Sequence, residues 1–245
     1  RTLRYCDFYT PTHEINHEWN IKNEHEWLHS IKRDVSKYVA ETCDGIISCL
    51  YEYDVAYRPF FPEKTTFIPL PIEMKEGEHP ITHMMLQKVR FFIGINRDRT
   101  ELKGTDIMLR ALERIVKDYP DRAEMVKAES VPFAEYIEMM KDCDVLLDQI
   151  YSYTPAMNAL QAMSQGLVAV SGGEEENYEI LGEKELRPII NVQPEEEDIY
   201  NQLEQLVLHP ERIPQLKRDS IEYVRRHHDS IKVAQRYLDA WNGNQ

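Results

Sequence analysis

From residue 88 onward, short apolar runs alternate with amphipathic segments, and this alternation constrains the fold more than any other feature. The first run is Val89-Arg90-Phe91-Phe92-Ile93-Gly94-Ile95, and the helical pattern that follows has apolar residues at Met108, Leu112, Ile115 and Tyr119. Further strand candidates lie at residues 144–148, 167–170 and 189–192. Strands that are apolar on both faces and alternate with helices are typical of a parallel sheet covered on both sides. The sequence therefore predicts an α/β fold with a doubly wound, Rossmann-like parallel sheet.

Composition and charge disfavour several kinds of binding partner and location. The 245 residues carry a formal net charge of −14, which disfavours binding along a nucleic-acid backbone, because that requires a surplus of Lys and Arg. The sequence holds no apolar run near the roughly 18 residues of a membrane span and no signal-peptide pattern. The cysteines, Cys6, Cys43, Cys49 and Cys143, match neither a zinc nor a disulfide spacing. They indicate free thiols, and hence a cytoplasmic location.

The first 85 residues lack this regular alternation of apolar and amphipathic segments. Residues 13–42 predict one or two helices, with inward positions at Trp19, Ile21, Trp27, Leu28, Ile31, Val35 and Val39. Short strands are predicted at residues 45–50 and 67–71, the second ended by its prolines. The polar residues 73–80 indicate a linker. Because the chain starts at Arg1 without a Met, we expect it to be part of something longer.

Ligands of doubly wound sheets bind beyond the carboxyl ends of the strands. The three candidate segments are residues 96–104, 148–155 and 171–176. The first carries Arg97, Arg99 and Lys103 before a helix. Because helix N-terminal N–H groups and nearby cations favour an anion, this loop predicts a phosphate site. The alternative is a solvated basic loop that offsets Asp98 and Glu101.

The other two segments are suited to polar ligands. The second places Tyr153, Thr154 and Asn158 against the next helix, where hydroxyl and amide groups could grip a sugar or ribose. Alternatively, the tyrosines cap the core and Thr154 caps the helix. The third has Gly172 and Gly173 before three glutamates, which allows a ligand to approach the backbone closely. A tight turn before an acidic helix start explains this segment equally well.

Together, these segments resemble the C-terminal domain of GT-B glycosyltransferases, of the large retaining class typified by glycogen and sucrose synthases. The resemblance extends from residue 88 to about residue 210. Its pieces, in order, are Phe92-Ile93-Gly94, Leu102-Lys103-Gly104, residues 143–147, residues 159–170, Ser171-Gly172-Gly173 with Glu176, and residues 190–194. Each piece is weak alone, but their shared order and similar spacing make the resemblance strong.

The resemblance implies a site for a nucleotide-sugar donor. Lys103 would hold the donor diphosphate together with Arg97 or Arg99, and Arg97 is slightly favoured. The donor-binding residues that it implies are Arg97, Lys103, Tyr153, Thr154, Asn158, Gln161, Gly173 and Glu176. The donor is a substrate, so the resemblance implies neither a cofactor nor a metal ion, and the catalytic residue stays unknown.

Two departures from the family pattern matter. The family has two glutamates eight positions apart where this chain has Tyr153 and Gln161. Gln161 can still hydrogen-bond a ribose, but Tyr153 cannot act as a carboxylate, so neither the sugar nor retention versus inversion is decided. The family also fits a strand, a helix and a strand between helices ending near Tyr119 and beginning near Pro132. Only about a dozen residues lie there in this chain, so we expect a deletion.

The resemblance implies three parts of the chain. Residues 1–85 would end the acceptor domain and supply the linker, residues 86–225 would bind the nucleotide sugar, and residues 226–245 would form a helix crossing back to the partial first lobe. The implied function is metal-independent hexosyl transfer to a glycan or glycolipid acceptor, in bacterial surface polysaccharide synthesis. Because acceptors in this family often carry lipids, peripheral contact with a membrane is left open.

Two alternatives belong to other functional classes. The replaced glutamates favour a GT-B-like protein that binds a nucleotide without turnover. The segments His13-Glu14-Ile15-Asn16-His17 and His25-Glu26-Trp27-Leu28-His29 fit the HExxH pattern of zinc metallopeptidases. Their polar flanks and the lack of an evident third ligand favour a solvated helix face. We therefore predict that neither segment binds zinc tightly.

Overall fold

A computed structural model of the protein describes residues 26, 29–74 and 88–243, and these residues contain two parallel sheets. The small sheet pairs β1 (Ile46–Ser48) with β2 (Thr65–Phe67). The large sheet has the order β4-β3-β5-β6-β7, and all its neighbouring strands are parallel. Its strands are β3 (Val89–Ile95), β4 (Ala123–Glu129), β5 (Val145–Leu147), β6 (Val168–Ser171) and β7 (Ile190–Asn191). The predicted doubly wound α/β fold is therefore confirmed.

Helices connect the strands and cover the large sheet. In chain order they are α1 (Ile31–Thr42), α2 (Tyr51–Tyr57), α3 (Thr100–Lys103), α4 (Thr105–Asp118), α5 (Phe133–Met140), α6 (Met157–Ser164), α7 (Glu175–Leu181), α8 (Glu196–Leu208), α9 (Ile213–His227) and α10 (Ser230–Trp241). Short 3₁₀ turns precede α3 and α9. Among the described residues, we find no helix that combines the length and apolarity needed to cross a membrane.

Each face of the large sheet has its own hydrophobic core. Phe91 and Ile93 of β3 belong to the core that includes α4 and α8, whereas Phe92 belongs to the core on the other face. Successive side chains of a strand point to opposite faces, so a strand between two cores must be apolar at every such position. This is why β3 is apolar except at Arg90, near its start. The predicted inward residues Met108, Leu112 and Ile115 of α4 are fully buried.

The order of the strands creates a crevice at one edge of the large sheet. From β3 the chain continues to β4 on one side and then returns to β5 on the other side of β3. The connections that leave β3 and β5 therefore diverge, and such a switch point is where open α/β sheets bind ligands. Two of the three candidate segments, residues 96–104 and 148–155, flank this crevice.

The stretch in which a deletion was expected contains a strand. Residues 121–130 include β4, which pairs with β3 along seven residue positions. Strand β4 is an edge strand, and the exposed side chains of Glu124 and Lys127, on opposite faces, interrupt the apolar run by which the other strands were recognised. An edge strand tolerates such charges because one of its sides faces solvent.

Predictions for the first 85 residues are only partly right. Strand β1 lies inside its predicted segment, but β2 ends at Phe67, before Pro69 and Pro71, which cannot donate a ladder hydrogen bond. The inward positions assigned to α1 are wrong, because Ile31, Val35 and Val39 are 77%, 52% and 53% exposed. Trp19, Ile21, Trp27 and Leu28 lie outside the described residues.

Contacts link the end of the chain to the region of β2. The Arg236 guanidinium in α10 donates to the carbonyl oxygen of Phe67 at 2.7 Å. The Ile72 N–H donates to the carbonyl of His228 at 2.6 Å, and the Ser230 N–H donates to the carbonyl of Ile72 at 3.0 Å. These contacts join α10 and the segment before it to the region of β2, and the three-part division of the chain stays a prediction.

Candidate functional site

Lys103 lies at the switch point and is held there by its backbone as well as its side chain. It ends α3, and Gly104 joins α3 to α4 with a φ of +70°, a conformation that favours glycine. The Lys103 carbonyl accepts a hydrogen bond from the Ile150 N–H at 3.0 Å. A Cβ atom at position 104 would lie 2.3 Å from the Ile150 side chain. The Lys-Gly pair therefore fits a corner packed directly against the segment after β5.

The Lys103 ammonium belongs to a hydrogen-bonded network that the sequence did not reveal. Its Nζ lies 3.1 Å from Oδ1 of Asp148, the residue that follows β5. The same Oδ1 accepts a hydrogen bond from Nδ2 of Asn158 at 3.0 Å, and Oδ1 of Asn158 accepts one from the Tyr136 hydroxyl at 2.9 Å. Lys103 and Asn158, from two segments of the chain, thus converge on the carboxylate of Asp148, which is 2% exposed, and Tyr136 supports Asn158.

The Tyr136 end of this network depends on a glycine in β3. A Cβ atom at Gly94 would lie 2.7 Å from the Tyr136 ring and hydroxyl, so only glycine leaves this space. The Tyr136 ring also packs edge-on against Phe92. Burial raises the pKa of Tyr136 to about 12, so its hydroxyl stays protonated and donates to Asn158. Gly94, Tyr136 and Asp148 therefore belong to the network around Lys103, and the sequence analysis did not assign them to the candidate site.

The two predicted diphosphate cations lie on different sides of β3. The Arg97 side chain is 78% exposed, and its Nε donates to Oε1 of Glu129, at the end of β4, over 2.6 Å. Lys103 instead pairs with Asp148 on the β5 side. The guanidinium of Arg99 has no hydrogen-bond or ion-pair partner within residues 26, 29–74 and 88–243. The structure therefore does not bring Arg97 and Lys103 onto a shared protein partner.

Tyr153 and Thr154 contact a carboxylate from the first part of the chain. Oε1 of Glu52, in α2, accepts hydrogen bonds from the Tyr153 N–H at 2.6 Å and the Thr154 N–H at 3.2 Å, and its Oε2 accepts one from the Thr154 hydroxyl at 2.8 Å. Burial raises the pKa of Glu52, although these hydrogen bonds act in the opposite direction. The Tyr51 ring lies 5.1 Å from that of Tyr153. One alternative held that Thr154 caps α6. Its N–H and hydroxyl groups bind Glu52 instead.

The remaining predicted residues lie nearby but have other protein contacts. The Gln161 side-chain amide donates to the Ser164 hydroxyl at 3.3 Å, and the Gly173 N–H donates to Oδ1 of Asn191 at 3.1 Å. Glu176 is half-buried in the first turn of α7. None of these contacts tests whether the residues bind a donor, and their assignment stays a prediction.

The two glycines after β6 allow close packing between segments of the protein. A Cβ atom at Gly172 would lie 1.8 Å from the Ser152 carbonyl oxygen, and one at Gly173 would lie 2.7 Å from Ile189. The Gly172 N–H also donates to the Gln149 carbonyl at 3.0 Å. In this structure, the close approach is therefore made by Ser152, after β5, at Gly172 and by Ile189, just before β7, at Gly173.

The start of α6 adds amide groups beside Lys103 and Asn158. The helix begins at Met157, and within the described part of the chain no side chain hydrogen-bonds to its first-turn N–H groups as a cap. Such N–H groups, together with the helix dipole, favour an anion. Lys103, Asn158 and this helix start can thus supply an ammonium, a side-chain amide and backbone amides to one anionic ligand.

The HExxH segments fall largely outside this description. His13, Glu14, His17 and His25 are not among the described residues, so zinc binding by either segment stays untested. Among the residues that the structure does describe, no three His, Cys, Asp or Glu side chains are grouped as a metal site.

Comparison with solved structures identifies the fold. The chain has the fold of the GT-B glycosyltransferases, as predicted. A variant of TarM from S. aureus, solved with fondaparinux, α-GlcNAc-glycerol and UDP, gives a TM-score of 0.62 at 13% identity, over 84% of this chain and 46% of TarM. HepE from Anabaena, solved with UDP and glucose, gives 0.62 at 12% identity, over 86% of this chain and 66% of HepE.

A third example is sucrose-phosphate synthase from Thermosynechococcus elongatus, with a TM-score of 0.61 at 14% identity, over 89% of this chain and 63% of that enzyme. The chain thus spans between 46% and 66% of the length of these three proteins. No protein-family model matches the sequence, and no curated protein matches it.

Proposed function

We propose that this chain binds a nucleotide-diphosphate sugar and takes part in transferring the sugar to a glycan or lipid-linked acceptor. The observation that carries the proposal is the position of Lys103, at the switch point of a GT-B fold and beside the uncapped start of α6. Solved proteins of the same fold hold UDP. A diphosphate that leaves water needs cationic and N–H donors to replace its hydration, and this corner offers both.

The same groups suit the chemistry of sugar transfer. When the bond between the sugar carbon and the donor phosphate oxygen breaks, negative charge grows on the leaving diphosphate. An ammonium and oriented amides placed at that charge stabilise the transition state. In this proposal Lys103 and α6 provide that stabilisation, so the reaction needs no metal ion. The proposed setting is bacterial surface polysaccharide synthesis in the cytoplasm, which agrees with the family resemblance.

A charge-assisted hydrogen bond is worth about 1.5–3 kcal/mol, or roughly ten- to hundredfold in affinity. Lys103→Ala should therefore weaken UDP binding at least about tenfold in calorimetric titrations at one salt concentration. In the same titrations, Arg97→Ala should also weaken binding if Arg97 leaves Glu129 for the diphosphate. If Arg99 is the second cation instead, Arg99→Ala should have the larger effect.

Two control variants separate a local effect from a general one. Lys217 pairs with Asp144 at 2.6 Å, so Lys217→Ala breaks another Lys–Asp pair, but at the opposite end of β5. Arg110→Ala removes a cation from the exposed side of α4. Both variants should bind UDP like the wild type. Equal UDP affinities of the wild type and Lys103→Ala would remove the donor site from this corner.

A second candidate function is nucleotide binding without turnover. It is favoured by Tyr153 and Gln161, which stand where the resembling family has glutamates, and by Asp148, which already neutralises Lys103. An assay for slow hydrolysis of nucleotide-sugar donors distinguishes the two candidates. Released sugar that disappears in Lys103→Ala supports the enzyme, whereas UDP binding without any release supports the non-catalytic protein.

A further inference from the structure

Asp148 occupies a position at which the surrounding sequence would place an apolar residue. It directly follows Val145-Leu146-Leu147 of β5, and its side chain is 1% exposed. Its Oδ1 accepts from Lys103 and Asn158, while its Oδ2 is buried with no hydrogen-bond partner among the described residues. A buried carboxylate with an unsatisfied oxygen is costly, and a buried ion pair is weak grounds for stability. The folded core therefore gives little reason for a carboxylate here.

The shared oxygen does have a clear geometric effect. Lys103 ends a short helix and Asn158 lies in the first turn of α6, so two separate segments direct their side chains to one atom. Tyr136 fixes the Asn158 amide further, because its hydroxyl donates to Oδ1 and leaves Nδ2 facing Asp148. A lysine side chain held in one orientation loses less conformational freedom when it binds a ligand. Protein kinases use a comparable Lys–carboxylate pair beside their nucleotide phosphates.

We infer that Asp148 is a positioning residue, whose Oδ1 holds Lys103 and Asn158 in the orientation in which they bind a diphosphate. This inference rests on the proposed function. The negative charge of Asp148 opposes an anionic ligand, so its benefit must come from orientation. This makes the inference testable. Replacing a residue that orients Lys103 should weaken UDP binding, whereas replacing one that merely competes for Lys103 should strengthen it.

The test compares two substitutions by calorimetric titration of UDP. Asp148→Leu places an apolar residue after β5 and removes both hydrogen bonds, so UDP affinity should fall at least about tenfold. Its unfolding midpoint is measured alongside, because Lys103 and Asn158 lose their buried acceptor. Asp148→Asn keeps the Oδ1 acceptor and should stay within about threefold of wild type. Tyr136→Phe removes one neutral hydrogen bond and should weaken binding about two- to tenfold. Asp144→Asn is the control at the other end of β5 and should leave UDP affinity unchanged.

A second measurement does not depend on nucleotide binding. The side-chain amide of Asn158 should give resolved NMR signals with slowed proton exchange in the wild type and in Asp148→Asn, and should lose this protection in Asp148→Leu. The inference would be overturned if Asp148→Leu bound UDP as tightly as the wild type or more tightly. It would also be overturned if Asp148→Asn bound UDP as weakly as Asp148→Leu. If the wild type does not bind UDP, the proposed function fails. The positioning role is tested independently by NMR, and unchanged Asn158 signals in Asp148→Leu would overturn it.

Discussion

At the scale of single residues, Glu52 is a buried carboxyl group whose raised pKa lowers stability at neutral pH, although its hydrogen bonds hold the segment after β5. Glu52 is 5% exposed, and its carboxylate accepts hydrogen bonds from neutral groups of Tyr153 and Thr154. Burial raises its pKa, so folding favours the protonated form of Glu52 relative to the unfolded chain. A raised folded-state pKa contributes stability that is fully present below the unfolded-state pKa and is lost as pH rises through the folded-state value.

Because the pKa of Glu52 is raised in the folded protein, the effect of Glu52→Gln on stability should depend on pH. Glutamine resembles the protonated carboxyl, and its amide can still accept from both N–H groups. The two proteins should therefore be similarly stable near pH 4, and Glu52→Gln should become the more stable one as pH rises toward neutrality. Urea unfolding across this pH range measures the difference. The control Glu179→Gln, at an exposed position of α7, should show little pH-dependent difference, and a constant gap for Glu52→Gln would contradict the prediction.

At the scale of elements, two helix ends with the same backbone conformation differ in what surrounds them. Gly104 and Gly182 follow α3 and α7 with φ values of +70° and +69°. A Cβ atom at Gly182 would have nothing within 4 Å, whereas one at Gly104 would lie 2.3 Å from Ile150. The pair therefore separates the cost of the left-handed conformation from the cost of packing.

We predict that Gly182→Ala costs about 1–2 kcal/mol of unfolding free energy, the usual penalty for a side chain in this conformation. Gly104→Ala should cost about 1–3 kcal/mol more, because Ile150 must move. It should also weaken UDP binding, since Lys103 adjoins the displaced corner. Denaturant unfolding and UDP titration of both variants measure these effects. Equal stability losses in the two variants would show that the contact with Ile150 is unimportant.

The same elements show what the sequence could predict. Strands β3, β5 and β6 are apolar on both faces, so local patterning was enough to place them and, through the strand-end rule, to place Lys103 and Asn158. Strand β4 was missed because an edge strand carries charges. The sequence does mark Asp148 as a carboxylate directly after an apolar run. The run alone does not predict which residues Asp148 contacts.

Contacts between distant parts of the chain left no such signal. Glu52 lies 101 residues before Tyr153, and nothing in its neighbourhood distinguishes it from the other acidic residues. Gly172 and Gly173 were recognised as permitting a close approach, but only the folded chain shows that Ser152 and Ile189 are what approach them. Periodicity reports burial, whereas the identity of a long-range partner depends on how whole elements pack.

At the scale of the whole molecule, the small sheet depends on its surroundings. Strands β1 and β2 pair over only three residue positions, and two strands of this size are not stable alone. Their neighbours include α10, through the hydrogen bond from Arg236 to the Phe67 carbonyl, and the joined segments around Ile72 and Ser230. The large sheet has two buried cores of its own. The two regions should therefore open with different free energies.

Native-state hydrogen exchange can measure this difference. The amides of Ile46 and Ile68, which bond across the small sheet, should exchange faster than those of β3, β5 and β6. Arg236→Ala should raise exchange at β1 and β2 about tenfold, because a hydrogen bond from a charged donor is lost, and should leave the large sheet unchanged. Arg225→Ala removes an exposed cation near the end of α9 and should change neither region. A uniform rise in exchange across both sheets in Arg236→Ala would instead mean that they open as one cooperative unit, because the loss of one contact between them would then lower the stability of every element equally.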